Sequence, residues 1–173
     1  MTLKTPFKNQ PSPPPSEEAG GGFLLSRALV VNGESSVVEA PAQSRLDAVL
    51  RRQLKLTSVL HGCESADCGA CRVLIDDKIA ASCTVFFCDL HDGARVQTAE
   101  ALRESPRVRA VLTAFMAERD TRCALCVGGL TVTAAYLEHA QYMQVASPVD
   151  EALEGANCAC TGRGSLKRAL LAR

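Results

Sequence analysis

The sequence contains no tryptophan and few other aromatic residues, with five Phe and two Tyr among 173 residues. It also lacks an excess of charge of either sign, because 19 basic residues balance 19 acidic ones. Balanced charge without a run of Lys and Arg argues against nucleic acid or an anionic membrane surface as a partner. No apolar run approaches the roughly 18 residues that a membrane-spanning helix needs, so direct membrane insertion is not expected. Hydrophobic residues still make up 47% of the chain, which is enough for a globular core.

The N-terminal sequence MTLKTPFKNQ lacks the apolar segment of a secretory signal. The chain is therefore expected to be cytoplasmic, or to be exported only on a partner subunit. Residues 1–22 are rich in Pro, Glu and Gly and offer nothing to bury, which predicts a disordered tail. Disulfides explain nine Cys poorly in such a chain, so metal ligation is the better interpretation.

The remaining sequence changes character near residue 100. Residues 23–100 predict a small α+β domain, with a hairpin turn at Asn32-Gly33, a helix capped by Ser44, and strands near 25–31, 37–38, 72–75, 78–81 and 96–98. Residues 101–173 predict a domain of four helices. Pro106 and Pro148 mark two helix starts, because Pro suits the first helical position. The other two helices are predicted at about 130–145 and 165–172, and a buried stripe on the first of the four includes Met116.

Four of the Cys residues lie in the first half with the spacing C-x4-C-x2-C-x11-C. They are Cys63, Cys68, Cys71 and Cys83, called here the first quartet. The first three follow the plant-type ferredoxin run, in which a short loop wraps an iron–sulfur cluster and a fourth thiolate comes from elsewhere. Backbone N–H groups of such a loop can point at the cluster sulfurs, and Gly62 and Gly69 permit the dihedral angles that wrapping demands.

Four more Cys residues lie in the helical half with the spacing C-x2-C-x31-C-x-C. They are Cys123, Cys126, Cys158 and Cys160, called here the second quartet. Cys126 and Cys160 come just before predicted helices, whose N-termini present free N–H groups and a positive dipole end. That environment suits an anionic cluster, and a helical bundle would bring the two pairs together.

Zinc is the alternative metal, since all-cysteine zinc sites also use C-x2-C pairs. The first quartet disfavours it, because C-x4-C-x2-C is an iron–sulfur spacing. The second quartet taken alone leaves zinc open, because C-x2-C is a generic motif. The ninth residue, Cys88, follows an apolar run and is expected to be buried as a small hydrophobic side chain.

Both motifs resemble those of the iron–sulfur (small) subunit of the xanthine dehydrogenase and aldehyde oxidase family, the molybdenum hydroxylases. HGCESADCGACRVLIDDKIAASC is similar to the family's first motif, and RCALCVGG with GANCACTGR is similar to its second. The resemblance covers about residues 23 to 172. It implies a ferredoxin-like β-grasp domain and then a four-helix domain, each holding one [2Fe–2S] cluster on its quartet of Cys.

The resemblance also implies a role in electron transfer and no substrate-converting site on this chain. Electrons would pass from molybdopterin on a large subunit to the helical-domain cluster and then to the β-grasp cluster. The acceptor would be FAD on a third subunit or, in members without that subunit, a cytochrome.

Some residues depart from the family's pattern, although all eight Cys are present, which implies a divergent member with intact clusters. Arg122 stands where the family usually has a Gln that contacts the pterin, so it would either pair with a cofactor phosphate or be solvated. Ala66 replaces a usual Gly, and Arg163 a usual Tyr. Two other classes of function stay open: a free-standing ferredoxin-like electron carrier and a zinc-stabilised interaction module.

Overall fold

The computed structural model describes residues 23–63, 65–118, 123–142, 148–157, 160 and 162–171. The predicted tail, Glu64, Arg122 and Cys158 lie outside these described residues. The elements in chain order are β1 (Leu24–Val31), β2 (Glu34–Pro41), α1 (Leu46–Arg52), β3 (Arg72–Ile75), β4 (Lys78–Ala81), a 3-10 turn (Phe87–Asp89), β5 (Arg95–Gln97), α2 (Ala99–Leu102), α3 (Pro106–Glu118), α4 (Val127–Tyr142), α5 (Pro148–Ala152) and α6 (Gly162–Leu171).

The strands form one mixed sheet in the order β2-β1-β5-β3-β4, so the N-terminal half is α+β as predicted. β1 and β5 are parallel, and the other neighbours are antiparallel. The predicted hairpin turn is confirmed: Asn32 and Gly33 have φ of 53° and 89°, the left-handed values that a tight two-residue turn requires. Asp76 and Asp77 take similar values, 49° and 65°, between β3 and β4.

Each half has its own hydrophobic core. In the sheet half (residues 23–97), α1 packs on the sheet around fully buried side chains that include Leu29, Leu46, Leu50, Val73, Phe87 and Val96. In the helical half (residues 106–171), α3, α4 and α6 pack around Val108, Phe115, Leu137, Leu153, Leu166 and Leu170. A third, smaller cluster joins the halves, where Leu74 of β3 and Ala99 of α2 meet Val132 of α4. Among the described helices, none is long and apolar enough to cross a bilayer.

Three local predictions are wrong. Arg45, not Ser44, precedes α1, and it makes no side-chain capping bond, because the backbone of this segment pairs with residues 86–87. Met116 is 52% exposed, because Phe115 takes the core-facing position on α3. Cys88 is exposed, because Phe87 fills the core in its place.

The helix starts at Pro106 and Pro148 are confirmed, whereas α4 and α6 each begin about three residues before their predicted starts. In α4 the extra turn contains Gly128 and Gly129, which disfavour a helix on propensity alone. The reason for these glycines is tertiary. A Cβ on Gly129 would overlap the carbonyl oxygen of Gly69, and a Cβ on Gly128 would overlap that of Ser58.

A second close approach extends this backbone contact between the two halves. A Cβ on Gly155, which follows α5, would overlap the carbonyl oxygen of Ala66. The backbone at Ser58, Ala66 and Gly69 is thus held directly against the start of α4 and the turn after α5, with no side chain between the facing backbones. We call this contact the glycine seam.

We therefore expect Gly129→Ala to destabilise the protein by about 3 kcal/mol, the upper end of typical overpacking costs, because neither backbone can yield locally. Gly164→Ala in α6 is the matched control, since its Cβ would meet only the Nη1 atom of Arg168, at 3.5 Å. Ala is favoured over Gly within a helix by up to about 1 kcal/mol, so this control should be neutral or stabilising. Thermal and denaturant unfolding of the two variants measure the difference. Equal stability of both variants would contradict the seam.

Candidate metal centre

The hairpin of β3 and β4 brings the first quartet together. Cys63, Cys68 and Cys71 lie in the loop between α1 and β3, and Cys83 lies just after β4. The register pairs Arg72 with Ala81, so the residues flanking the hairpin's open end are neighbours. Ser82 then donates from its backbone N–H and its hydroxyl to the Cys71 carbonyl, at 3.2 and 2.6 Å. These bonds fix Cys83 beside Cys71, and both thiols are buried.

The four thiols meet in two pairs. Burial and then contact with the Cys71 thiol raise the pKa of Cys83 to about 11. The pKa of Cys68 is also raised, chiefly by burial and in part by the neighbouring Cys63 thiol. Cys83 further interacts electrostatically with Cys63, so the two pairs adjoin. Four thiolates at this place would repel one another unless a cation or cluster held them.

The loop turns its backbone N–H groups toward these sulfurs, as the sequence predicted. Cys68 N–H donates to Cys63 Sγ at 3.4 Å, and Ala70 N–H donates to Cys68 Sγ at 3.5 Å. Donation from Cys68 is the largest of several effects that lower the pKa of Cys63 to about 6. Two residues with left-handed backbone, Ala66 (φ 59°) and Gly69 (φ 73°), fold the loop into this shape. A nest of N–H donors of this kind stabilises an anion.

The first quartet meets as two pairs of thiols, Cys63 with Cys68 and Cys71 with Cys83. A tetrahedral zinc site needs all its ligands around one point. A [2Fe–2S] cluster instead spreads four thiolates over two irons, which matches thiols that meet two by two.

The second quartet is described for three of its four residues. Cys126 is buried immediately before α4, and Cys123 and Cys160 are exposed. Cys126 belongs to the core of the helical half and shares a small cavity with Ala156 and Leu166. Ala156 precedes Cys158 by two residues and Leu166 lies on α6, so the fold brings these two described residues near the start of α4.

Segments that carry the two quartets touch each other. Asn157, the residue before Cys158, donates from its backbone N–H to the Asp67 carbonyl at 2.8 Å and from its side chain to the Asp67 carboxylate. Cys68 and Cys126 line the same small cavity. The role of Asn157 was not predicted from the sequence. The sequence hints at this contact only in that Asn157 and Asp67 each stand directly before a Cys of a quartet.

The side chain of Arg72 also crosses from one half to the other, and this contact was not predicted from the sequence either. Arg72 is 5% exposed, and its Nη1 donates to Thr133 Oγ1 at 2.8 Å. The same guanidinium donates to the carbonyl oxygens of Ala152 and Glu154. Burial lowers the pKa of Arg72 to about 10, so it remains a cation near neutral pH. The sequence did contain a signal for this contact, because Arg72 is a charged residue at the first position of the otherwise apolar strand RVLI.

The side chain of His61 supports the start of the first-quartet loop. Its Nδ1 lies 2.6 Å from Oδ2 of Asp47, a buried carboxylate in the first turn of α1. The pair ties the residue two positions before Cys63 to the helix that packs on the sheet, so His61 supports the loop.

Comparison with known proteins identifies related chains. The family model described as "2Fe-2S iron-sulfur cluster binding domain" matches residues 29–101. A probable xanthine dehydrogenase subunit from Bacillus subtilis is 31% identical over 140 residues, which are 81% of this chain and 80% of that one. Aldehyde oxidoreductase of Megalodesulfovibrio gigas is 32% identical over 111 residues, 64% of this chain.

The relatives differ in length. This chain spans only 12% of the aldehyde oxidoreductase. Among solved structures, quinoline 2-oxidoreductase from Pseudomonas putida 86 is 25% identical with a TM-score of 0.69, and the match covers 85% of this chain and 90% of that chain.

In the metal-free chain, we expect Cys63 to react with iodoacetamide well below neutral pH, while Cys83 does not. The thiolate is the nucleophile, so labelling of Cys63 should rise as pH passes about 6, and Cys83 should stay protonated until pH approaches about 11. Mass spectrometry of labelled peptides measures each site separately. The urea-unfolded chain is the control, in which both thiols should label alike. Similar labelling of the two in the folded chain at neutral pH would refute the N–H nest.

Proposed function

The chain belongs to the xanthine dehydrogenase and aldehyde oxidase family of iron–sulfur subunits, and on that premise we propose that it relays single electrons between partner subunits through two [2Fe–2S] clusters. The donor would be molybdopterin on a large subunit, and the acceptor FAD on another subunit or a cytochrome. The observation that carries this proposal is the shared cavity of Cys68 and Cys126, since it brings one residue of each quartet to the lining of the same cavity.

The first quartet would hold one cluster. Cys63 and Cys68 would share one iron and Cys71 and Cys83 the other, following the two pairs of neighbouring thiols. When bound, such a cluster accepts and releases one electron. The N–H donors of residues 65–70 would offset its negative charge, and burial of Cys71 and Cys83 would keep water from its inner side. Hydrogen bonds to sulfur and exclusion of solvent both tune the potential of such a group.

The second quartet would hold the other cluster on Cys123, Cys126, Cys158 and Cys160. Support comes from the start of α4, a 16-residue helix whose first residue follows Cys126 directly. The positive dipole end of this helix favours an anion there. The buried Cys126 would face the first quartet, whereas the exposed Cys123 and Cys160 would face a partner subunit.

We assign residues 23–100 to a β-grasp domain and residues 101–173 to a four-helix domain, each with one cluster. Support comes from the separate hydrophobic cores of the two halves. The substrate-converting site would lie on the large molybdopterin subunit and not on this chain. The lengths of the relatives agree with this division, because the chain spans 80% of a separate dehydrogenase subunit but 12% of an oxidoreductase made as one long chain.

Metal content and two single substitutions test the proposal. Protein prepared anaerobically should contain about four iron and four sulfide per chain, as two [2Fe–2S] clusters require. Cys126→Ser should halve both and remove one electron paramagnetic resonance signal, and Cys83→Ser should remove the other signal. Each half has its own core, so each variant should keep the remaining cluster. Cys88→Ser is the control, since Cys88 is exposed and outside both quartets.

Four irons in Cys126→Ser, or loss of iron in Cys88→Ser, would refute the ligand assignment. Zinc without sulfide or visible absorbance would favour an interaction module. Purification of the complex distinguishes the remaining alternative. A large molybdenum-containing partner supports the relay, and an iron–sulfur chain isolated alone from its source supports a free-standing carrier.

A further inference from the structure

Arg72 is a buried cation whose hydrogen-bond partners are all neutral. Its three acceptors are a hydroxyl and two backbone carbonyls. Within the part of the chain that the structure describes, no carboxylate forms an ion pair with it. Taking a guanidinium out of water is costly unless a negative charge compensates it. The site therefore calls for an anion that the described protein groups do not supply.

The nearest negative charge would come from the first quartet. Arg72 follows Cys71 directly, and the cavity between the two quartets is lined by Arg72 together with Cys68 and Cys126. Negative charge on the Cys71 and Cys68 sulfurs would favour the Arg72 cation, because both lie within electrostatic reach of its guanidinium. Four thiolates and two sulfides outweigh the charge of two ferric ions, so an oxidised [2Fe–2S] cluster on these thiolates is a net anion, and adding an electron makes it more negative.

The helical half fixes where this positive charge lies. All three acceptors belong to that half: Thr133 is on α4, Ala152 ends α5, and Glu154 lies in the following turn. Thr133 in turn donates its hydroxyl to the Gly129 carbonyl at 2.8 Å, at the glycine seam. The guanidinium cannot swing into solvent without breaking these bonds, so its distance from the first quartet is set by the docking of the two halves.

We propose that Arg72 is a positioning residue that holds a permanent positive charge beside the first-quartet cluster and thereby raises its reduction potential. This inference rests on the proposed function. Arg72 would act on a one-electron transfer in which the electron lost by one cluster is gained by the other, without any change of bonds or protons. A higher potential at the first quartet favours transfer away from the second quartet, which is the direction of the proposed relay.

The test is a redox titration of the loaded protein, with each cluster followed by its electron paramagnetic resonance signal. Arg72→Gln should shift the reduced-to-oxidised ratio of the first-quartet cluster toward oxidised by about tenfold at a fixed potential, equivalent to about 59 mV for one electron. The second-quartet cluster should move less. Arg72→Lys, which keeps the charge, should recover most of the shift.

Arg95→Gln is the matched control. It also removes one positive charge from the sheet half, but Arg95 is 58% exposed and pairs with Asp77 at 2.5 Å. Solvent and salt screen an exposed charge, so its removal should leave both potentials unchanged. If Arg72→Gln does not assemble, Arg72→Met serves instead, since Met is unbranched and fills irregular space without a charge.

Two outcomes overturn the inference. One is a neutral Arg72 variant that retains both clusters with the wild-type potential at the first quartet. The other is an Arg95→Gln shift as large as that of Arg72→Gln. Neither would affect the proposed function, which fails instead if the wild-type protein does not contain two clusters.

Discussion

Direct contact between two stretches of backbone, at the glycine seam, is the constraint on which the rest of the structure depends. Gly129 in α4 lies so close to the carbonyl of Gly69 in the first-quartet loop that there is no room for a methyl group on Gly129. Such closeness requires glycine on the helical side of each contact, because a Cβ there would overlap the facing carbonyl oxygen. It places the first-quartet loop of the sheet half against the N-terminus of α4, which begins directly after Cys126.

The seam explains features that the separate halves do not. Gly128 and Gly129 lie in the first turn of α4 although glycine disfavours a helix. Their lack of a Cβ allows the close tertiary contact with the sheet half. Ala66 keeps a left-handed backbone where Gly would be easier, and its carbonyl lies against Gly155. The Ala66 backbone N–H also partly offsets the rise in the pKa of the Cys83 thiol. The loop is thus constrained on one side by the helical half and on the other by the sulfurs that it surrounds.

The sequence predicted most of what is local. Turn chemistry located the first hairpin, and Pro located two helix starts, because these signals act over a few residues. Cys spacing located the first-quartet loop for the same reason. Cys88 was wrongly expected to be buried, since an apolar run cannot say which of its residues faces the core, and Phe87 took that position. Arg72 with Thr133 and Asp67 with Asn157 were missed, because their partners are 61 and 90 residues apart and only the folded chain brings them together.

The separate cores keep the shape of each half, and the shared seam keeps the distance between the halves. Together these two properties suit an electron relay. A core such as that around Leu50 and Val73 lets each half retain its shape when the other is perturbed. The glycine seam at Gly129 sets the spacing between the two halves. The buried side chain of Arg72 crosses this seam, so the electrostatics at the contact also depend on how the two halves are docked. Electron transfer needs a fixed separation and a defined difference in potential, and it needs no cavity for a substrate. The described contacts between the quartets meet that need, because they consist of backbone, small side chains and one fixed cation.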